Sequence, residues 1–331
     1  MGITTLDAHV GGAAVRLVTS GFPRVEGATM AERRSSFDLV AGDLALCLTS
    51  EPRGHAGMVG VVLTEPDRAD ADAGMLFFTG AGPRRLSGHA AMAAVALALD
   101  HRLLMPRVED VVRLDSEAGA VAVHVAGRDA DGRVRRLRYE GPPAAVLRGN
   151  VRATASRRGI RADLAWSGSE VVAIVEGEAL GVPLSASHTL ELRQTALDVI
   201  ATLDETLLLT PPGTTDPAPV SACALVGPAG DPHADVRSVL VRSDGTVTRS
   251  ASASGTAAVA VVLAAMGLVT PGAASRHESL SGTSWMAEVG PHAGGPGDPQ
   301  SIAIVADVYP TGTHEFVIAG GDPLPRGVRW V

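Results

Sequence analysis

Two stretches of the sequence, RLSGHAAMAAVALAL at Arg85–Leu99 and SASGTAAVAVVLAAMG at Ser252–Gly267, follow one unusual pattern. When Ser87 is set against Ser254, each stretch reads Ser-Gly-X-Ala-Ala and continues into a run of Ala, Val and Leu. Serine before an Ala-rich run is typical of a helix start, and a helix that is apolar on every side must be buried all round. The repeat therefore predicts two buried helices, one in each half of the chain.

Most other segments are Val-rich, often alternate in polarity and end at Gly, Pro or Asp, which is typical of β-strands. A third helix is predicted at TLELRQTALDVIATLDE (189–205), with an apolar face of Leu190, Leu192, Leu197, Ile200 and Leu203. The polar segment GRDADGRV (127–134) is typical of a linker or a hairpin tip. We expect an α/β fold of two pseudo-symmetric domains, each a curved β-sheet or barrel around a central helix.

Composition excludes several classes of function. The 331 residues carry a net charge of −8 without a clustered basic stripe, so we expect no nucleic-acid partner. All 28 basic residues are arginine, which excludes a lysine Schiff base to a carbonyl or pyridoxal phosphate and a Walker phosphate loop. Cys47 and Cys223 lie in apolar runs and are expected to be buried, reduced thiols. With no secretory signal and no long apolar run, we expect a cytoplasmic protein without a membrane partner.

The repeated stretch also predicts a binding site. The free N–H groups and the positive dipole end at a helix start bind anions. Two such ends, facing each other across a domain cleft, could hold one carboxylate and stabilise an enediolate if the α-carbon lost its proton. The side chains of Ser87 and Ser254 would then lie on opposite faces of that carbon, which suits the transfer of a proton from one face to the other.

Several ordered segments resemble the proline racemase family, which includes proline racemases, 4-hydroxyproline epimerases and trans-3-hydroxyproline dehydratases. They are LDAHVGG (6–12), EPRGHAG (51–57), ADLAWSGSE (162–170) and HESLSGTSW (277–285). The resemblance implies a diaminopimelate-epimerase-like fold, with 1–128 and a returning 312–331 as one half, 129–311 as the other, and the site between them. It also implies pyridoxal-independent proton transfer on a small imino acid carboxylate, with no cofactor and no metal; a homodimer stays open.

The chain departs from this family at the reacting groups. The racemases and epimerases have Cys-Gly-His and Asp-Arg-Ser-Pro-Cys-Gly-Thr, where this chain has residues 87–89 and 250–256. Both cysteine positions are serine, and the Asp that helps to hold the substrate nitrogen is Ser250. A serine hydroxyl is a far weaker acid than a thiol and needs a neighbouring base. The remaining motif residues keep the expected carboxylate clamp; they are Gly88, His89, Gly255 and Thr256.

Two residues are candidates for the base that serine lacks. His89 lies beside Ser87 and titrates near neutrality, although the family implies only a hydrogen bond to the substrate. Glu51 lies near the position of a catalytic glutamate in the phenazine-biosynthesis isomerase-like proteins, which share the wider fold. Asp7 and His9 are expected to form a structural hydrogen-bonded pair.

Three functions remain open, in this order: an isomerase acting by α-proton transfer or double-bond shift, a hydroxyproline dehydratase, and a non-catalytic ligand-binding homologue.

Overall fold

The computed structural model describes residues 2–204, 207–291 and 297–328. Its strands, numbered along the chain, are β1 (Gly2–Val10), β2 (Ala13–Ser20), β3 (Val59–Thr64), β4 (Ala73–Thr79), β5 (Gly82–Arg84), β6 (Val111–Ser116), β7 (Gly119–Arg128), β8 (Val134–Glu140), β9 (Ala145–Ala155), β10 (Arg158–Trp166), β11 (Val171–Glu176), β12 (Val220–Gly227), β13 (Val236–Arg242), β14 (Ala274–Glu278), β15 (Ser284–Val289) and β16 (Ile302–Val317). The helices are α1 (Met30–Thr49), α2 (Gly88–Asp100), α3 (Gly177–Leu180), α4 (Thr189–Asp204) and α5 (Ala253–Ala265).

The chain divides into two compact units. Unit 1 is formed by residues 1–139 and 306–331, and unit 2 by residues 140–305, so that unit 2 is inserted into the sequence of unit 1. The predicted first junction at 128/129 falls inside unit 1, because the polar segment 127–134 is the tip of the β7–β8 hairpin. There the Asp129 carboxylate accepts the backbone N–H of Arg133 at 2.9 Å.

Unit 1 contains a closed barrel. Its strands are hydrogen-bonded in the order β1-β2-β3-β4-β6-β7-β8-β16, and β16 pairs back onto β1 with Leu6 opposite Thr313. Helix α2 packs against β1, β2, β3 and β7, and its residues 88–98 are all buried, so it fills the barrel. Helix α1 packs on β3, β4 and β5 and covers them from outside.

Unit 2 repeats this plan. Its strands follow the order β9 to β15 and then the start of β16, and a two-hydrogen-bond bridge between Ala144 and Gln300 joins the ends of the series. Helix α5 packs against β9, β10, β11, β13 and β15, while α4 packs against β9, β12 and β13. A core that includes Leu192, Val199, Cys223 and Val239 fills the space beneath α4.

The order of parallel and antiparallel pairs identifies the two units as copies of one plan. In unit 1, β2 and β3 are parallel across α1, and β4 and β6 are parallel across α2. In unit 2, β11 and β12 are parallel across α4, and β13 and β14 are parallel across α5. Antiparallel pairs β3–β4 and β12–β13 connect these crossovers. The predicted class, two similar α/β units each with a central buried helix, is confirmed.

The helices differ from the sequence expectation in two details. The apolar face predicted for α4 is wrong at Leu190, which is 79% exposed, whereas Leu192 and Leu203 are fully buried. Helix α1 was not predicted, because its polarity does not follow the helical period: Arg33 is buried and Leu39 is exposed. No helix in the described ranges is long and apolar enough to cross a membrane.

The Asp7–His9 pair expected on β1 does not form. Asp7 is buried and instead pairs with Arg16 of β2, whose Nη2 lies 2.7 Å from Oδ2. Successive side chains of a strand point to opposite faces, so Asp7 and Arg16, which are opposite each other in the β1–β2 ladder, share a face. His9 instead stacks on Tyr309 with ring centroids 5.3 Å apart.

Candidate active site

The first Ser-Gly motif forms the start of the buried helix in unit 1. Ser87 is the N-cap of α2, and its carbonyl accepts the first helical hydrogen bond, from Ala91, at 2.8 Å. The backbone N–H groups of residues 88–90 precede that bond and have no helical carbonyl to reach, and the Ser87 side chain does not cap them. This end of α2 carries the positive end of the helix dipole.

The Ser87 hydroxyl is turned towards His89. Its Oγ lies 3.4 Å from Nδ1 and 3.5 Å from Nε2 of the imidazole, and both side chains are buried. These distances are at the outer limit of hydrogen bonding, as is common for catalytic pairs without a bound substrate. The pair combines a hydroxyl with a neighbouring base, which is the arrangement that activates a serine side chain for catalysis.

The second motif enters its helix in a different register. The N-cap of α5 is Ser252, and the Thr256 N–H donates to the Ser252 carbonyl at 2.8 Å. Ser254 therefore lies within the first turn rather than before it. The Thr256 backbone N–H is thus used inside the helix. The N–H groups of residues 253–255 occupy the positions that precede the first helical bond.

Ser252 has an unusual backbone conformation, with φ 63° and ψ 129°. A positive φ is strained for a residue with a Cβ, and such residues are concentrated at functional sites. The conformation brings the Ser252 Oγ to 3.3 Å from the Ser254 Oγ. The backbone conformation of Ser252 thus places the hydroxyls of Ser252 and Ser254 next to each other at the start of α5.

Ser250, which is predicted to stand at the position of the family's aspartate, is 1% exposed. Its Oγ accepts the backbone N–H of Ser252 at 3.3 Å. A neutral oxygen used in this way supplies no negative charge to a substrate ammonium, whereas a carboxylate would make a charge-assisted hydrogen bond. Ser250 therefore brings no negative charge to the start of α5.

An ion pair that the sequence analysis did not identify lies against Ser254. Val239 and Val241 of β13 belong to the core beneath α4, so the alternation of the strand turns Leu240 and Arg242 to the side of α5. Strand β13 and helix α5 lie close together here, because a Cβ atom added to Gly255 would lie 3.3 Å from the Leu240 Cβ. At this contact the Arg242 Nη2 donates to the Ser254 Oγ at 3.2 Å.

Glu170 is the partner of Arg242 in this cluster. The Arg242 Nη1 donates to the Glu170 Oε2, and the two side chains are 12% and 13% exposed. Glu170 ends the ADLAWSGSE segment, after a turn in which Gly168 has φ 93°. That segment was recognised as a family resemblance, but nothing in the sequence connects it with position 242.

Glu51 lies in a different environment from the buried Ser87–His89 pair. It follows α1, its side chain is exposed, and its carbonyl accepts the Val328 N–H at 2.7 Å. The structure thus places the Glu51 carboxylate on the exterior of unit 1 beside the end of an outer helix.

The two cysteines of the chain, Cys47 and Cys223, lie outside the repeated Ser-Gly motif. Both are free and buried, as predicted. Burial raises the pKa of Cys47 and that of Cys223, so both favour the neutral thiol. Within the described ranges, no group of three or more His, Cys, Asp or Glu side chains is arranged to hold a metal ion.

Comparison with known proteins gives matches over nearly the whole chain. A family model described as Proline racemase matches residues 5–329. The chain is 27% identical over 328 residues to a proline racemase of Clostridioides difficile, covering 98% of this chain and 97% of the relative. It is 30% identical over 325 residues to a 4-hydroxyproline epimerase of Brucella ovis, covering 97% and 96%. Its fold is similar to a crystal structure of a hydroxyproline epimerase from Agrobacterium vitis with bound trans-4-hydroxy-L-proline, with a TM-score of 0.86, 23% identity, and coverage of 98% and 95%.

Proposed function

Because the chain belongs to the proline racemase family, we propose that it is a cofactor-independent isomerase that moves a proton at the α-carbon of a proline-like imino acid. The observation that carries the proposal is the repeated Ser-Gly motif, which begins α2 and lies in the first turn of α5, the central buried helices of the two units. The proposal assigns both helix starts to one substrate carboxylate and includes a cytoplasmic location, because the sequence has no cysteine framework.

The chemistry follows from the groups at each helix start. N–H donors of residues 88–90 and 253–255 would hold the carboxylate and stabilise the enediolate formed when the α-carbon loses its proton. Ser87 and His89 would act as one group on that proton, since the imidazole Nδ1 lies 3.4 Å from the hydroxyl. Ser254 would act on the other face of the carbon.

Ser250 bears on the choice of substrate. A substrate with a cationic ring nitrogen gains less from this hydroxyl than from the family's aspartate. L-Proline is therefore expected to be a poor substrate, and an imino acid whose nitrogen needs no carboxylate partner is expected to be a better one.

A second function, a non-catalytic ligand-binding homologue, is favoured by one observation. Both thiol positions are serine, and the two thiols that the chain does contain are buried away from solvent. Such a protein would bind the carboxylate through its helix starts without moving a proton.

Deuterium incorporation at the α-carbon, followed by NMR in D₂O, separates these functions. The substrates are L-proline, hydroxyprolines and dehydroprolines. We expect the wild type to exchange at least one of them, and the Ser87→Ala/Ser254→Ala variant to lose about 10²-fold or more of that rate. The combined change Ser87→Cys, Ser254→Cys and Ser250→Asp should raise exchange of L-proline.

Calorimetry with pyrrole-2-carboxylate, a planar ring carboxylate, completes the test. Binding without exchange, in the wild type and in the triple variant alike, would establish the non-catalytic function in place of the isomerase. Absence of both binding and exchange would refute the assignment of the helix starts to a carboxylate. Rapid exchange of L-proline by the wild type would refute the importance of the missing thiols and aspartate.

A further inference from the structure

The two serines of the repeat have opposite kinds of neighbour. The Ser87 Oγ lies beside an imidazole, which can accept a proton. The Ser254 Oγ instead accepts a hydrogen bond from the Arg242 guanidinium, which has only donors and does not lose its charge in proteins. Two copies of one motif have thus acquired different electrostatic surroundings.

We propose that Arg242 is a positioning residue that makes Ser254 the proton donor of the serine pair. This inference rests on the proposed function and assigns a direction to it. The guanidinium stabilises the negative charge that appears on Oγ when the hydroxyl gives up its proton. Because the Ser254 Oγ accepts a hydrogen bond from Arg242, the hydrogen of this hydroxyl points away from the guanidinium.

The proposed proton transfer conserves protons and charge. The α-carbon loses its proton to the Ser87–His89 pair, and the C–H electron pair remains on the substrate as the enediolate. The Ser254 O–H bond then breaks, a new C–H bond forms on the opposite face, and the alkoxide stays beside Arg242. Water returns a proton to Ser254, and the Ser87–His89 pair releases the proton it took.

Glu170 has a defined part in this arrangement. It fixes one edge of the guanidinium through Nη1, which leaves Nη2 directed at Ser254. Its negative charge also offsets part of the cationic field at Oγ. Removing the Glu170 charge while keeping Arg242 should therefore strengthen the effect on the hydroxyl.

An ion pair with a purely structural role would not change the acidity of a side chain at position 254. The test therefore places a titratable side chain at that position. Ser254→Cys places a thiol whose pKa can be measured, independently of catalysis, from the pH dependence of alkylation by iodoacetamide. Wild-type protein, whose buried Cys47 and Cys223 have raised pKa values, provides the background rate. The variants to compare in the Ser254→Cys background are Arg242→Met, Arg242→Lys and Glu170→Gln.

The expected result is a pKa of the introduced thiol that is about one unit or more higher with Met at 242 than with Arg. Lysine at 242 should restore part of the difference, and Glu170→Gln should lower the pKa further. Arg237→Met is the matched control, because Arg237 lies on the same strand and pairs with Glu278 at 2.8 Å. It should leave the pKa of the introduced thiol unchanged.

Equal pKa values with Arg and Met at 242, or an equal shift from Arg237→Met, would overturn the proposal. Glu170→Gln keeps the guanidinium in place, so it remains decisive even where Arg242→Met fails to fold: an unchanged or raised pKa would also overturn the proposal. Deuterium exchange by the wild type without any pKa effect would leave the isomerase standing and remove the role of Arg242. A pKa effect without exchange would establish the electrostatic coupling and refute the isomerase.

Discussion

The buried histidine of unit 2 should make the protein lose stability in mild acid. His277 on β14 is fully buried; its Nε2 lies 3.2 Å from the Ser275 Oγ, and its Nδ1 has no hydrogen-bond partner among the described residues. Burial lowers the pKa of His277 to about 4, although the nearby Asp235 acts in the opposite direction. The folded state therefore keeps this imidazole neutral over a range in which the unfolded chain protonates it.

The direction and the magnitude of the change in the free energy of unfolding follow from this difference in pKa. Below about pH 6.5 the unfolded state binds a proton that the folded state refuses, so the free energy of unfolding falls as the pH decreases towards about 4. At about 1.4 kcal/mol per pKa unit, the loss attributable to this one group is about 3 kcal/mol. The contribution of neutral His277 to the free energy of unfolding is fully present above the pKa that the imidazole has in the unfolded chain, and it is lost as the pH falls below that value.

Urea unfolding of the wild type and of His277→Met, at several pH values between about 7 and about 4, measures the effect. The variant should lose about 3 kcal/mol less than the wild type over this interval. His233→Gln, at an exposed loop position of the same unit, is the control and should keep the wild-type slope. Parallel curves for the wild type and His277→Met would refute the reasoning.

Two further changes test the backbone strain and the buried charge. Ser252→Gly should be about 1 kcal/mol more stable than Ser252→Ala in urea unfolding, because both lack the hydroxyl and only glycine relieves the positive φ; an equal or less stable glycine variant would contradict the strain. Asp7→Asn should cost about 3 kcal/mol or more in thermal or urea unfolding, since it leaves Arg16 buried without its charge partner. Asp110→Asn breaks the exposed pair with Arg128 and should cost less than about 1 kcal/mol; similar costs for the two pairs would contradict the role of burial.

The sequence predicted the central helices because a run that is apolar on every side permits only one environment. It failed for α1, whose pattern is mixed, but a local signal was present at residues 29–32. Thr29 accepts the Glu32 N–H at 3.2 Å, while the Glu32 carboxylate accepts the Ala28 N–H at 2.8 Å. This Thr-x-x-Glu arrangement resembles a capping box, which indicates a helix start independently of periodicity.

The candidate site was predictable only in part, for a physical reason. Ser87 and Ser254 stand in repeated local sequence, so a helix start near each could be predicted directly, although the N-cap of α5 is Ser252. The Glu170–Arg242 pair joins residues 72 positions apart and exists only because β10, β13 and the first turn of α5 converge in the folded unit. The register difference at Ser252 depends on a backbone angle that serine does not favour, which no propensity could have indicated.

The insertion of unit 2 into unit 1 sets an order for folding during synthesis. The ribosome completes residues 140–305 as one continuous segment, which can fold as soon as it emerges. The barrel of unit 1 cannot close then, since β1, which is made before unit 2, waits for residues 308–317 of β16. For most of translation, the nascent chain therefore carries an open strand edge and an apolar helix without its full enclosure, and these are the features that invite aggregation or chaperone binding. Removal of residues 308–317 should consequently harm the strands of unit 1 that are synthesised before unit 2.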